Sequence, residues 1–326
     1  MRTAARGDVW KVWLYATASV ALGAGLAPLL YGAGNALAEV EASKVLNGPL
    51  RLLAAYCRGA DFPEFFKVGV LVVAGLFLFP WLEWIHAVHG QAWADDPSQG
   101  RFRIGRWWGP WQCAAGFLLV TGLLLAPGIV WVLKGDCMLP LHIGGPLMRH
   151  ILRRSLIVAV VMEVFFRGIV LGVFRRVMRP TVVLAMSAVF FALVLSVFQT
   201  AGMKVADPEA AGAGFELLGW LMKRFADVHY LCGVFLPLIV LGGVLAHARL
   251  RTGTLWLPIG LQCGWLFSLL MLARLSVAYY PQGAGHSPLT IIVGGQEWVP
   301  LAAIFITGVL AHYLTSNPDV SDAGPS

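Results

Sequence analysis

The sequence predicts an all-α protein, a polytopic bundle of about eight membrane-spanning helices. Of its 326 residues, 58% are hydrophobic and only 13% are charged, and the mean hydropathy is +0.74. These values lie far from the composition of a soluble domain. Eight apolar runs approach the roughly 20 residues that a helix needs to cross a bilayer. They lie near residues 12–32, 66–88, 112–133, 152–174, 182–201, 231–249, 255–273 and 291–314.

The apolar runs divide the chain into three predicted parts. Residues 1–149 form an N-terminal membrane region with three spans and their loops. Residues 150–275 form a core of four spans, and residues 276–326 hold the last span and a short polar tail that we expect to be disordered. Little sequence lies outside the runs, and neither strand-period segments nor an internal repeat is visible, so one helical membrane domain is the simplest organisation.

The placement of basic residues predicts the orientation of the bundle. Short clusters of arginine follow the fourth run, connect the sixth and seventh, and precede the third, so with eight spans they share the side of the N-terminus. Because short cytoplasmic loops are rich in Lys and Arg, both termini are expected to be cytoplasmic. The net charge of +7 is spread between apolar runs, which favours contact with lipid headgroups over nucleic-acid binding. The arginines are Arg101, Arg103, Arg106, Arg175, Arg176, Arg179, Arg249 and Arg251.

One cluster has the residue types of a metal site. Glu83, His86 and His89 recur at i, i+3 and i+6 near the end of the second run. Two histidines and a carboxylate can hold zinc, but the tryptophans around them are typical of the aromatic belt where a helix leaves the bilayer. We favour interfacial polar residues over a metal site. The five cysteines lack C-x-x-C spacing, so no cofactor is predicted.

The fourth apolar run contains an acid and a base, Glu163 and Arg167. A charged side chain at the centre of a spanning helix costs about 2.5–3.5 kcal/mol on insertion scales, so it usually faces the protein interior or a water-filled cavity. Four residues apart on a helix, the two share a face with the acid N-terminal to the base, which suits an ion pair. They mark either a functional site or a buried ion pair that orients the helix. A contact from Arg167 to a substrate peptide or a lipid anion is a further interpretation.

Three segments of the core resemble the CAAX-protease and bacteriocin-processing-enzyme family, which includes CAAX prenyl endopeptidases and lysostaphin-resistance-protein-like intramembrane glutamic proteases. MEVFFRG at 162–168 resembles the first family signature, E-E-x-x-x-R. SAVFFALVL at 187–195 is similar to the second, F-x-x-x-H. RTGTLWLPIGLQCGWLF at 251–267 is similar to the third, in which a Thr-Gly-Ser-Leu-Trp-type turn leads into H-x-x-x-N. The order and spacing of the segments make the resemblance stronger than any single motif.

The resemblance implies an intramembrane endopeptidase whose first motif-one Glu and motif-two His activate a water, while the motif-three His and Asn stabilise the oxyanion. All four of these positions are changed in this chain, to Met162, Leu195, Gln262 and Leu266. Met and Leu offer neither a base nor a strong hydrogen-bond donor, whereas Gln262 keeps an amide NH₂ that can donate. Of the catalytic motif residues, only Glu163 and Arg167 remain.

These departures predict impaired catalysis, because losing a general base costs about 10²–10⁴ in rate and losing one oxyanion donor about 10²–10³. We therefore expect a pseudoenzyme in the lipid bilayer, in a bacterial inner membrane, that binds another membrane protein in an immunity, scaffold or regulatory role.

Two other hypotheses remain. The first is an active endopeptidase with a rearranged site that uses Glu163 and Gln262, helped by a histidine such as His229 or His247. Glu163, however, is rotated by about 100° from the usual base position, and it is also the natural partner of Arg167. The second is a transporter lined by the charged pair, which is weakened by the lack of matched Gly/Pro-broken helices in two halves.

Overall fold

Apolar sequence produces helix throughout the described part of the protein. The structure is a computed structural model that describes residues 2–43, 48–85, 109–133, 144–200, 202–277, 304 and 306–309. Within these ranges there is no strand, which confirms the all-α fold class. The main helices are α1 (Arg2–Ser43), α2 (Gly48–Gly59), α3 (Phe62–Trp84), α4 (Gly109–Leu133), α5 (Gly145–Glu163), α6 (Leu171–Arg175), α7 (Pro180–Val197), α8 (Ala213–Lys223), α9 (Val228–Tyr230), α10 (Leu236–Thr252) and α11 (Trp256–Val277).

The helices confirm a polytopic membrane protein. Among the described residues, five helical stretches are long and apolar enough to cross a bilayer, and two shorter apolar helices, Gly109–Leu125 and Trp256–Leu272, accompany them. These seven stretches correspond to the first seven predicted runs. The eighth run lies almost entirely outside the described residues. The five long stretches are Gly7–Glu41, Phe62–Trp84, Gly145–Arg175, Pro180–Val197 and Val228–Thr252.

The residues group into two compact units that are not continuous in sequence. The first unit comprises residues 1–92 and 193–231, and the second comprises residues 93–192 and 232–326. The boundary after Ala192 falls inside α7. The three-part division expected from the apolar runs stays a prediction.

In the first unit, α1 and α3 pack as an antiparallel pair. Lys11 Nζ donates to the Trp84 carbonyl oxygen at 3.1 Å at one end, and the Tyr31 and Phe62 rings meet at 5.8 Å at the other. Between them, a Cβ on Gly23 would overlap the α3 backbone, so only glycine permits this approach. The 20 residues from Lys11 to Tyr31 rise about 30 Å, the thickness of a bilayer hydrocarbon core.

Helix α8 packs against the middle of α1. A Cβ on Gly214 would overlap the Ala24 carbonyl, so the two helices touch backbone to backbone. Leu217 and Leu221, one and two turns further along α8, are buried in the same cluster. Residues 193–231, which include α8, thus belong to the first unit. The buried cluster consists of Ala24, Ala27, Phe62, Phe66, Val70, Ala213, Leu217 and Leu221.

In the second unit, small residues allow α4 and α11 to pack closely. A Cβ on Gly260 would overlap the Cys113 carbonyl, and one on Gly264 would lie 2.7 Å from the Phe117 carbonyl oxygen. Gly260 and Gly264 form a G-x-x-x-G pattern, which lets membrane helices approach closely and gain van der Waals contact. This fixes the helix that carries the third motif.

Candidate functional site

The expected ion pair forms, and it is fully enclosed by protein. Arg167 Nη1 donates to Glu163 Oε1 at 2.9 Å, and both side chains are 0% exposed. The second nitrogen, Nη2, donates to the Gly242 carbonyl oxygen at 3.2 Å. Cζ lies 4.2 Å from the centre of the Phe191 ring, within the range of a cation–π contact. One arginine therefore joins the motif-one helix to α7 and α10.

The backbone around Arg167 is not a regular α-helix. Helix α5 ends at Glu163 and continues directly as a π-helical segment, Val164–Val170, before α6 begins. Such segments are rare and occur frequently at functional sites. The i, i+4 argument from sequence assumed an α-helix throughout. The pair forms nonetheless between Glu163, the last α-helical residue, and Arg167 inside the π-helical segment.

The carbonyl that Arg167 contacts is accessible because residue 242 is glycine. A Cβ on Gly242 would lie 3.0 Å from Ala188 Cα and 3.0 Å from Phe191 Cδ1, closer than nearly all real side-chain contacts. The absence of a side chain therefore lets α10 approach α7. This approach holds both the Gly242 carbonyl and the Phe191 ring against the guanidinium.

Two of the four changed family positions lie in contact. Gln262 Nε2 is 3.7 Å from Met162 Sδ, so the first and third motifs meet here, as expected if the motif alignment is correct. Gln262 is 1% exposed, and its Oε1 has no partner among the described residues. Leu266 is half-buried on α11. Leu195 is half-buried on α7 and belongs to the first unit, so its place relative to this group stays a prediction.

Met162 and Glu163 contact different helices although they are adjacent in sequence. Met162 touches Gln262 of α11, while Glu163 binds Arg167, whose other contacts are on α7 and α10. The thioether cannot accept a proton as a base would. Glu163 is enclosed, with Oε1 on Arg167 and Oε2 without a partner among the described residues. His229 is exposed in the first unit, and His247 is half-buried in the second.

Four further buried polar groups of the second unit were missed by the sequence reasoning. The hydroxyls of Thr121, Ser155, Ser187 and Ser268, on α4, α5, α7 and α11, have no hydrogen-bond partner within the described ranges. A Cβ on Gly264 would lie 3.2 Å from Thr121 Oγ1, which places that hydroxyl at the α4–α11 contact. Single Ser and Thr residues in apolar runs are the only sequence signal for them. Together with Gln262 Oε1, they give the interior of this unit unused hydrogen-bonding capacity.

The suggested metal cluster cannot be assembled from the described residues. Glu83 is exposed near the end of α3, and His86 and His89 lie outside the described part of the chain. Among the residues that are described, no group of three or more His, Cys, Asp or Glu side chains could hold a metal ion. The preference for interfacial polar residues over a metal site stays a prediction.

Residues 145–268 match the family model of type II CAAX prenyl endopeptidase Rce1-like proteins. The match covers less than half of the chain and supports the family resemblance for this segment. The Rce1-like segment begins with α5, ends within α11 and contains all three motif segments, which confirms the resemblance read from them. The segment includes the ion pair and the Met162–Gln262 contact. It also includes residues 193–231, which belong to the first unit. No curated protein and no solved structure matches the chain.

Proposed function

We propose that this CAAX-protease-like integral membrane protein does not hydrolyse peptides and acts by binding another membrane protein in an immunity, scaffold or regulatory role. The contact between Met162 Sδ and Gln262 Nε2 at 3.7 Å supports this most directly. It joins the positions where the family resemblance expects the general base and the oxyanion-stabilising histidine. A thioether and an amide at these positions cannot activate a water by removing its proton.

The remaining polar groups suit binding better than bond cleavage. Gln262 Oε1 and the hydroxyls of Ser155 and Ser268 are buried without partners among the described residues. Unpaired polar groups in a membrane interior gain free energy when a ligand supplies hydrogen bonds. The backbone of a peptide or of a partly unwound transmembrane segment carries both donors and acceptors. A membrane-protein segment is therefore the proposed class of partner.

One observation favours the alternative of an active endopeptidase with a rearranged site. Glu163 Oε2 is buried and has no partner among the described residues, so one oxygen of this carboxylate remains able to accept a proton. Against this, Oε1 is held by Arg167 in a buried ion pair, which gives the carboxylate a structural role.

A cleavage assay separates the two functions. The protein is reconstituted in liposomes with a fluorogenic prenylated CAAX peptide and, separately, with a library of transmembrane peptides. We expect no cleavage above the protein-free rate, and no change with Glu163→Gln. Cleavage that Glu163→Gln abolishes would overturn the proposal and establish the rearranged site.

Restoring the family residues tests whether the changed positions account for the loss. The variant Met162→Glu, Leu195→His, Gln262→His and Leu266→Asn is compared with the same variant that keeps Met162. We expect cleavage only when the glutamate is present, because the base alone is worth about 10²–10⁴ in rate. Equal rates in both variants would show that position 162 is not the catalytic base position.

A binding assay tests the positive half of the proposal. A photo-crosslinking amino acid is placed at Leu266, which is half-buried on α11, and at Val161, which is 64% exposed on α5, as a control for lipid-facing positions. We expect a discrete membrane-protein adduct from position 266 but not from position 161. Adducts with lipid alone at both positions would contradict a protein partner.

The orientation and the membrane are also proposals. Arg175 and Arg249 lie at the C-terminal ends of two stretches that are long enough to span a bilayer, Gly145–Arg175 and Val228–Thr252, and we infer that these ends share one side of the membrane. We infer that this side is cytoplasmic, that both termini lie on it, and that the membrane is a bacterial inner membrane. Phosphatase and fluorescent-protein fusions at the C-terminus test the orientation, and a phosphatase-active C-terminal fusion would contradict it.

A further inference from the structure

Helix α2 presents an apolar face that is largely exposed. Only Ala54 and Cys57 of this helix are buried, where it packs on α1. Leu52, Leu53 and Tyr56 are 75%, 51% and 49% exposed. At 100° per residue, these three side chains lie within about 100° of one another on the outer surface of the helix. The exposed face is therefore continuous and carries no charge.

The opposite side of α2 is basic. Arg51 and Arg58 are seven residues apart, so they lie on the same side of the helix, about 140–160° from Tyr56. Both contact a single acid on α1: Arg58 Nη2 lies 2.8 Å from Glu41 Oε2, and Arg51 Nε lies 4.0 Å from Glu41 Oε1. The two arginine side chains remain 73% and 57% exposed. Two guanidinium groups thus share one carboxylate, which leaves donors and positive charge for an external anion.

The position of α2 indicates which surface it meets. Only Ala60 and Asp61 separate it from Phe62, where the membrane-spanning helix α3 begins. Phe62 contacts Tyr31 of α1, so α3 begins at this level, while α1 continues to Ser43. The C-terminal end of α2 therefore lies beside the start of a membrane-spanning helix. A helix with an apolar face, a basic face and low overall hydrophobicity is the type that lies in a membrane interface.

We propose that α2 is an interfacial anchor whose Leu52, Leu53 and Tyr56 insert among lipid acyl chains while Arg51 and Arg58 bind the phosphates of anionic phospholipids. A second copy of the chain or a soluble protein would also cover the leucines. The bilayer is favoured because the helix ends beside the start of a membrane-spanning helix and because exposed arginines beside an apolar face match the anionic headgroups of the bilayer. The anchor lies outside the Rce1-like segment, so it does not depend on whether the core cleaves peptides.

Site-directed spin labelling tests the inserted face. The five native cysteines are replaced, correct folding is checked by gel filtration and circular dichroism, and labels are placed at Leu53 and, as a matched control, at Ala55. Ala55 is also exposed but lies about 160° from Leu53 on the same helix. In liposomes we expect the label at 53 to be relaxed mainly by oxygen, which concentrates in lipid. The label at 55 should be relaxed mainly by a water-soluble nickel chelate.

Lipid composition tests the role of the arginines. The label at position 53 should lie deeper in vesicles that contain phosphatidylglycerol than in vesicles of phosphatidylcholine alone. Arg51→Gln with Arg58→Gln should remove this difference, whereas Arg153→Gln, a change of an exposed arginine on α5, should preserve it.

Three results would overturn the proposal. A label at 53 that is relaxed mainly by the nickel chelate in both vesicle types would place the apolar face in water. Dipolar coupling between labels at 53 that grows with the protein-to-lipid ratio would identify a second copy as the occupant. A difference between vesicle types that persists without Arg51 and Arg58 would exclude phosphate binding by these residues.

Discussion

Arg167 provides the sharpest test of what the intramembrane charges do. Replacing it with methionine keeps much of the side-chain volume but removes the ion pair with Glu163 and the hydrogen bond to the Gly242 carbonyl. The Glu163 carboxylate would then remain buried without a partner. Removing one member of a buried pair typically costs about 3–5 kcal/mol. We expect Arg167→Met to lower the free energy of unfolding by that amount.

The double change predicts a different magnitude. Replacing both charges, with Glu163→Leu and Arg167→Met, leaves no stranded ion, and substitutions of this kind are often neutral or stabilising. The remaining loss is the contact with Phe191, worth about 0.5–2 kcal/mol, and the bond to Gly242. The double variant should therefore be more stable than Arg167→Met alone.

The measurement is equilibrium unfolding in mixed dodecylmaltoside and sodium dodecyl sulfate micelles, followed by tryptophan fluorescence. Arg153→Met serves as the matched control, because Arg153 is exposed on the same helix and its loss should change stability by no more than about 0.5 kcal/mol. The ion pair would not stabilise the fold if Arg167→Met lowered the free energy of unfolding by no more than this control does. The same conclusion would follow if the double variant were the least stable. A loss of partner binding at unchanged stability would instead assign Arg167 to a binding site.

Other contacts predict effects of known sign. Gly242→Ala should destabilise the protein by about 1–3 kcal/mol in the same unfolding assay. Gly243→Ala should not, because its Cβ would meet nothing closer than 3.9 Å. Equal effects of the two changes would exclude close packing as the reason for glycine at position 242. Tyr15→Phe removes a 2.6 Å hydrogen bond to the Ala74 carbonyl and should lower the free energy of unfolding by about 0.5–1.5 kcal/mol. An unchanged unfolding curve would show that this hydrogen bond does not stabilise the fold. Metal analysis of purified protein should find no stoichiometric zinc, and zinc that is present but lost with His86→Ala would establish the metal site.

The membrane class, the helices and the family could be predicted because their signals are local. Each apolar run is long enough to require a helix in lipid. The motif-one and motif-three segments keep their spacing, and Met162 and Gln262 meet as that spacing implies. The ion pair was also predictable, since an acid and a base that share a helix face inside a membrane have few alternative partners.

Other features depend on contacts that are distant in sequence. Nothing in VFFRGIV distinguishes a π-helical segment from an α-helix, and the contacts that this segment makes through Arg167 are with α7 and α10. The first span was expected over residues 12–32, but α1 extends from Arg2 to Ser43, since helical hydrogen bonding continues beyond the apolar residues. Helix α2 was not predicted at all. Its twelve residues are too short and too mixed in polarity to stand out beside the spans.

The docking of α8 on α1 has a consequence for biogenesis. Ala24 leaves the ribosome about 190 residues before Leu217 and Leu221, which cover it in the finished protein. At a synthesis rate of about 5–20 residues per second, α8 is synthesised roughly 7–27 s after the end of α3. During that interval the α1–α3 hairpin is in the membrane with its small-residue surface open to lipids, insertion factors and proteases. Nascent chains stalled before residue 213 should therefore be cleared faster than chains stalled after residue 231. Helix α8 lies within the Rce1-like segment but packs on α1. Exchanging the Rce1-like segment between proteins would therefore also exchange the helix that covers α1.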